Sequence, residues 1–402
     1  MVRHHFFTTA FSLVQVVLVA VVVVAASAAR SHAGSDPYGL PDEVETALQA
    51  ALDANYSLRF DEADALLRSL EPHREKHLMI EFGFVLTEWW RLSAAVLEED
   101  KDASRPLLQA LDACIAEAEA AIARGDPTGE AQLVHGAALG LLGRWHIANH
   151  HWLRSYVVGR KAKASLEKAL QINPELYDAY SGIGIYDYFV ARLPGIVRFV
   201  AFGGGESDPA VGMRLIQLAV NNGHYTVTGT KAALVLVQLR IEKDPAAALD
   251  IADELVADHP DSAFFRSLRM IALHDLGRTK ALAEEATIQE TLLAEGRFPA
   301  ARTAQVHFAR GLARFVAGDS KAAEVDFEQA VAQADPSDPW GTWARLYLGR
   351  LADLRGEREA AKEHYRAVKR MTNRMGTARL AARYLRNEYV RDDEASRMLL
   401  PD

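Results

Sequence analysis

Two blocks near the C-terminus carry one spacing twice. "HFARGLARFVAGDSKAAEVDFEQAVAQADP" places Gly311, Gly318, Ala323, Phe327 and Ala330 at successive intervals of 7, 5, 4 and 3 residues. "RLYLGRLADLRGEREAAKEHYRAV" places Gly349, Gly356, Ala361, Tyr365 and Val368 at the same intervals. Steps of four and three lie on one face of a helix. The pattern predicts a small residue in a first helix, a glycine turn, and a second helix whose small and aromatic residues pack against the first. Such a unit cannot bury its apolar face alone, so it must stack on copies of itself. The composition agrees: 50% of the 402 residues are apolar and 25% are charged, as in a globular chain.

This spacing resembles the tetratricopeptide repeat. Weaker copies follow the frame: Ala63, Leu67, Leu70 and Pro72; Ala162, Leu166, Ala169 and Pro174; Ala247, Ile251, Leu255 and Pro260; and a first-helix half with Tyr180, Ile183 and Gly184. "INPE", "DHPDS", "ADPSDP" and "ARGDPTG" separate the apolar-periodic blocks, where helices must stop. The resulting expectation is an all-α chain, a right-handed α-solenoid of about eight helix-turn-helix pairs between residues 41 and 397. Its predicted organisation is residues 1–33 as a leader, 34–174 as irregular pairs with long helices, 175–260 as pairs interrupted by an insertion at 189–208, and 261–402 as repeats with a capping helix. One of the long helices is expected over "LMIEFGFVLTEWWRLSAAVL". From the insertion to "LRMIALHDLGR" the order of segments also loosely resembles the eukaryotic tetratricopeptide family that includes inclusion-body clearance proteins. That resemblance implies a noncatalytic scaffold.

The N-terminus has the anatomy of a secretory signal: a basic start, a 14-residue apolar run (Leu13–Ala26), and small residues at Ala26-Ser27-Ala28 and Ser31-His32-Ala33. The alternative is an uncleaved anchor, since the apolar stretch extends to about 20 residues. Cys114 is the sole cysteine, so no intramolecular disulfide forms. It sits on an apolar helical face and is expected to be a buried, inert thiol. Removing residues 1–33 takes away Arg3 and Arg30 and leaves 43 basic residues against 54 acidic ones. That balance disfavours nucleic acid as a partner.

"LPGIVRFVAFGGGESD" invites a phosphate-loop interpretation, but no Lys-Ser/Thr follows Gly203, Gly204 and Gly205. Asp208 is expected to cap a helix beginning at Pro209. The apolar part, with Phe199 and Phe202, is expected to pack on its own solenoid; a partner protein or a membrane surface are the alternatives. His146 and His150 stand four apart and are weak candidates for one metal, without the third ligand or the glutamate of a zinc-protease motif. No nucleophile elbow, Cys–His arrangement or paired-carboxylate motif stands out, and no cofactor is implied.

The repeat resemblance implies that first helices line a binding surface. Its ligand-facing positions correspond to Asp178, Ser181, Ile185 and Tyr188 in one unit. In a second they correspond to Gln305, Phe308, Leu312 and Phe315, and in a third to Trp343, Leu346 and Arg350. Extended peptides or partner helices are the guests of such surfaces. The expected function is a noncatalytic exported scaffold binding protein or peptide partners in the cell envelope. The alternatives are a helical-repeat metalloenzyme or metal-binding protein using His146 and His150 and a peripheral membrane factor using residues 193–202.

Overall fold

A computed structural model describes residues 37–94, 102–192, 208–335, 338–371, 376–391 and 399. Among these the chain is all-α, with 17 α-helices and no strand. They form two compact units, one holding residues up to Ser93 and 102–237, the other holding the chain from Gln238 onward.

The first unit contains α1 (Asp42–Tyr56), α2 (Phe60–Ser69), α3 (Leu78–Ala94), α4 (Arg105–Arg124), α5 (Glu130–Ala148), α6 (Trp152–Ile172), α7 (Ala179–Arg192), α8 (Pro209–Asn222) and α9 (Val227–Val237). The second begins with a π-wound turn (Gln238–Glu242). It continues with α10 (Pro245–Asp258), α11 (Ala263–Asp275), α12 (Thr279–Ala294), α13 (Thr303–Ala317), α14 (Ser320–Gln333), α15 (Pro339–Leu354), α16 (Arg358–Arg370) and α17 (Thr377–Arg386).

One packing rule runs through every even-numbered helix. Ala63, Leu107, Ala162, Gly212, Ala248, Leu282, Ala323 and Ala361 are buried, and so are the residues four and seven places after each. These eight second helices therefore present the same narrow buried stripe, apolar except for Gln289 in α12, which is the tetratricopeptide pattern expected from the sequence. In α10 the frame differs by one residue from expectation: Ala248, Ala252 and Leu255 are buried, and Ala247 and Ile251 are not. An alanine-rich helix offers two adjacent stripes, and only packing selects between them.

The turns share a geometry too. Leu58, Lys243, Gly277, Gly318 and Gly356 have positive φ, and each lies five residues before the first stripe residue of the helix that follows. Arg59, Arg278, Asp319 and Glu357 donate their backbone N–H to carbonyls five residues back, closing the preceding helix in a Schellman motif. Asp-Pro pairs start three second-unit or insertion-flanking helices: Asp208, Asp244 and Asp338 accept N–H bonds from the first turn, ahead of Pro209, Pro245 and Pro339.

Close approach is built with glycine, as the repeats implied. A Cβ on Gly311 would stand 2.8 Å from the Phe327 ring, and one on Gly349 would stand 2.4 Å from the Tyr365 ring. The tightest crossing is α7 on α8. There a Cβ on Gly212 would lie 2.4 Å from the Tyr188 backbone nitrogen and 2.7 Å from the Gly184 carbonyl oxygen. Hence α7 and α8 pair directly, with residues 193–207 as an insertion between them. Phe199, Phe202, Gly203, Gly204 and Gly205 lie outside the described residues. The boundary expected at residue 189 moves, because α7 runs on to Arg192. The cap at Asp208 is as expected, with its Oδ1 2.8 Å from the Ala210 nitrogen.

Candidate functional site

The eleven residues that the repeat resemblance placed on a binding surface are all buried: Asp178, Ser181, Ile185, Tyr188, Gln305, Phe308, Leu312, Phe315, Trp343, Leu346 and Arg350. Most are core packing. Phe308 and Phe315 pack with Phe327 and Tyr347, and Gln305 bonds the Ala263 carbonyl at 2.8 Å. Asp178, Phe315 and Arg350 are different. They are covered by segments near the two ends of the described chain.

In the first unit the cover is residues 37–45. The Asn173 side-chain amide donates to the Pro37 carbonyl at 3.0 Å, and the Tyr38 hydroxyl donates to Asp178. Asp178 also accepts from the backbone nitrogens of His224, Tyr225 and Thr226 at 3.0, 3.0 and 2.7 Å, and from the Thr226 hydroxyl at 2.7 Å. One buried carboxylate thus ties the start of α7 to the start of α9 and to the N-terminal segment. Beside it Ser181 and Thr230 share a 2.7 Å hydrogen bond. Glu45, on the first turn of α1, meets His224 Nε2 at 2.5 Å and accepts from the Tyr225 hydroxyl. Burial pushes the Glu45 carboxyl up, but hydrogen bonds from His224, Tyr225 and Gln49 outweigh it and hold the group below its ordinary value. The Tyr38 ring stands edge-on to Tyr225 at 4.9 Å. Consequently α1 touches residues some 180 positions away (Glu45 to Tyr225). A stack with contacts only between successive repeats does not give that contact.

In the second unit the cover is the chain after α17. Arg358 donates to the Tyr384 and Leu385 carbonyls at 2.5 and 3.2 Å, closing that helix. The Tyr389 nitrogen then donates to Asp353 at 2.8 Å, and its buried ring packs on Tyr384 and Phe315. The Arg391 guanidinium lies 5.2 Å from the Phe315 ring centre. Further on, Leu399 is 1% exposed, and its nitrogen donates to Asp275 Oδ1 at 2.9 Å. Asp275 is fixed by the His274 ring at 2.8 Å. The side chains touched are on α15, α13 and α11, all first helices.

Arg350 is the most unusual group there. Its guanidinium stands 4.5, 5.4 and 5.0 Å from the ring centres of Tyr347, Tyr384 and Tyr389, and it donates to the Tyr384 hydroxyl at 3.2 Å. It is 1% exposed and makes no ion pair among the described residues, whereas the buried carboxylates Glu285 and Asp326 do. Glu285 joins Arg266 and Arg269 at 3.2 and 2.8 Å, and Asp326 joins Arg310 and Arg314, each at 2.7 Å. Facing π-systems stabilise the lone cation instead.

The histidine expectation is corrected. α5 ends at Ala148, and His150 sits in the turn with φ 59°, so His146 and His150 do not share a helix face. The ring that meets His146 is His151, at 3.4 Å between Nδ1 atoms, brought there because the His151 nitrogen closes the helix on the His146 carbonyl. Burial lowers the His146 pKa, and His151 and Arg154 lower it further. Among the described residues no group of three or more His, Cys, Asp or Glu is placed to hold a metal. Cys114 is buried, and burial raises its thiol far above the ordinary value, as expected of an inert core cysteine.

No family model matches this sequence, and no curated protein matches it. Among solved structures it is similar to a Rap protein complexed with competence and sporulation factor, at 13% identity and a TM-score of 0.41, over 86% of this chain and 79% of that one. It is also similar to a human IFIT1 dimer with PPP-AAAA, at 16% identity and a TM-score of 0.39, over 87% and 78% of the two chains. A tetratricopeptide repeat protein from Parabacteroides merdae matches at 11% identity and a TM-score of 0.31, over 86% and 98%. Likenesses this remote say nothing of partner or activity. The repeat architecture rests on the packing described above.

Proposed function

We propose that this chain is a noncatalytic helical-repeat scaffold that holds extended polypeptide segments against its first helices. The carrying observation is that Tyr389, Arg391 and Leu399, in chain with no helix of its own among the described residues, already lie on α15, α13 and α11. Aromatic and charged side chains with buried carboxylates that accept backbone N–H groups suit an extended peptide. The signal-like N-terminus and the acidic balance support export and a place in the cell envelope, in the periplasm of a Gram-negative bacterium. Among the described residues no helix is long and apolar enough to cross a membrane.

The test is photo-crosslinking in the native envelope from two positions of similar exposure. Val390 is 54% exposed beside the first helices, and Val325 is 55% exposed on the second helix α14. The scaffold reading expects discrete protein adducts from Val390 that are missing from Val325. Identical adduct patterns from both sites, or none from either, would count against it. Mass measurement of the purified chain should find it beginning after Ala28 or Ala33; a chain that retains residues 1–28 removes the cleaved-signal part.

A further inference from the structure

We propose that the first three turns of α6 are a docking surface for an anionic lipid bilayer. Trp152, Leu153 and Val157 enter the bilayer interface, and Arg154, Arg160 and Lys161 meet the lipid phosphates. This goes beyond the peptide-holding reading and does not rest on it.

α6 uses one side to join its own unit: Ser155, Ala162, Leu166 and Ala169 are buried there. At 100° per residue the opposite side carries two adjacent ridges of i, i+4, i+8 spacing. One is Trp152, Tyr156 and Arg160, and the other is Leu153, Val157 and Lys161. Each ridge is aromatic or aliphatic for two turns and cationic at the third. Nine large apolar side chains are exposed among the described residues, and three of them, Trp152, Leu153 and Val157, fall within residues 152–157. Leu153 is 77% exposed, so it protrudes. Apolar groups clustered in this way mark a contact surface, whereas the same groups scattered singly would not.

Charge identifies what the surface meets. From residue 131 to residue 166 the chain has no acid and five basic residues, in a protein of net charge −9. Two of the five are already engaged. Arg144 is buried over the Trp89 ring, and Lys163 pairs with Asp187 at 2.6 Å and Glu167 at 3.7 Å. The other three, Arg154, Arg160 and Lys161, are exposed and make no ion pair among the described residues. Arg160 donates to the Tyr156 hydroxyl at 3.3 Å, which leaves its charge uncompensated. Cations beside exposed Trp and Leu match the bilayer interface, where anionic headgroups lie just outside the level at which such side chains settle. A protruding leucine suits a surface that yields to it better than a preformed pocket on a protein.

The experiment uses the full-length chain with Leu153→Cys, carrying an environment-sensitive dye on that thiol. Cys114 is buried, and burial pushes its thiol up, so the dye goes to position 153. Val325→Cys, exposed on α14, is the labelled control. The vesicles are phosphatidylcholine alone, or an equal mixture of phosphatidylcholine and phosphatidylglycerol. With the anionic vesicles, emission from position 153 is expected to brighten and shift to shorter wavelength, and to revert as salt is raised. Emission from position 325 is expected to stay unchanged. Adding Arg160→Gln and Lys161→Gln to the labelled chain is expected to weaken vesicle binding about 25-fold, or about fivefold per charge. No response at position 153, an equal response to both kinds of vesicle, an equal response at position 325, or undiminished binding after the two Gln substitutions overturns the proposal. Short-wavelength emission from position 153 without vesicles also overturns it, because a second copy or the chain itself would then cover this face.

Discussion

Gly212→Ala is the sharpest probe of how the first unit is held together. The added methyl would stand 2.4 Å from the Tyr188 nitrogen, 2.7 Å from the Tyr188 Cα and 2.7 Å from the Gly184 oxygen. All three are backbone atoms of α7, so no side chain can swing aside. Ordinary contact begins near 3.4 Å, which means the two helices must part by about 1 Å along a tightly packed seam. That seam includes Tyr188 and Ile216, 1% and 2% exposed. Overpacking of this kind costs about 2–4 kcal/mol. Alanine's better helix propensity returns up to about 1 kcal/mol, leaving a net loss of about 1–3 kcal/mol.

Gly143→Ala is the control. It is also inside a helix, but its methyl would meet nothing closer than 3.7 Å. Propensity then dominates, and a gain of about 0.5–1 kcal/mol follows. The assay is urea unfolding of both full-length variants by circular dichroism and tryptophan fluorescence, comparing midpoints in the earlier transition if two appear. Opposite shifts are expected. If both variants move the same way, or Gly212→Ala matches wild type, the backbone-to-backbone seam between α7 and α8 is not as described.

Two further outcomes follow from local geometry and burial. Asp53 is pushed up to about 6 by burial, with Arg59 opposing. A carboxyl whose folded value lies above its unfolded one binds its extra proton in the native state, so stability falls as pH rises from about 4 through 6. Asp53→Asn should therefore stabilise the chain at pH 7.5 by roughly 1–2 kcal/mol after allowance for solvent screening, with the gain shrinking towards pH 4.5; a pH-independent difference would refute the assignment. His150→Gly relieves a left-handed backbone at φ 59° and should raise stability by about 1 kcal/mol, read as a higher thermal midpoint; a lower midpoint would mean that the imidazole itself holds the turn.

Much of the repeat was legible because its signals are local. Gly311 with Phe327 and Gly349 with Tyr365 pair a missing side chain with a ring across one hairpin, and Gly318 and Gly356 mark turns that favour a residue without Cβ. Where the same left-handed turn is filled by Leu58 or Lys243, no such mark exists, and the spacing of α10 alone points to Ala247 and Ile251 instead of the buried Ala248 and Ala252. The histidines misled for a related reason. An i, i+4 pair shares a face only if the helix continues, and α5 stops at Ala148.

By itself, then, the sequence determined the class: an all-helical chain of stacked hairpins, with its periodicity, the Asp208 cap, the turns at Gly318 and Gly356, and an inert cysteine. Those follow from residue size, backbone preference and spacing within about forty positions. Only the tertiary structure decided what covers the first helices. Tyr38 on Asp178 and Leu399 on Asp275 join residues 140 and 124 positions apart. No period in a sequence encodes such contacts. They depend on where a segment outside the repeats finds the buried donors and acceptors that the stack leaves unmatched.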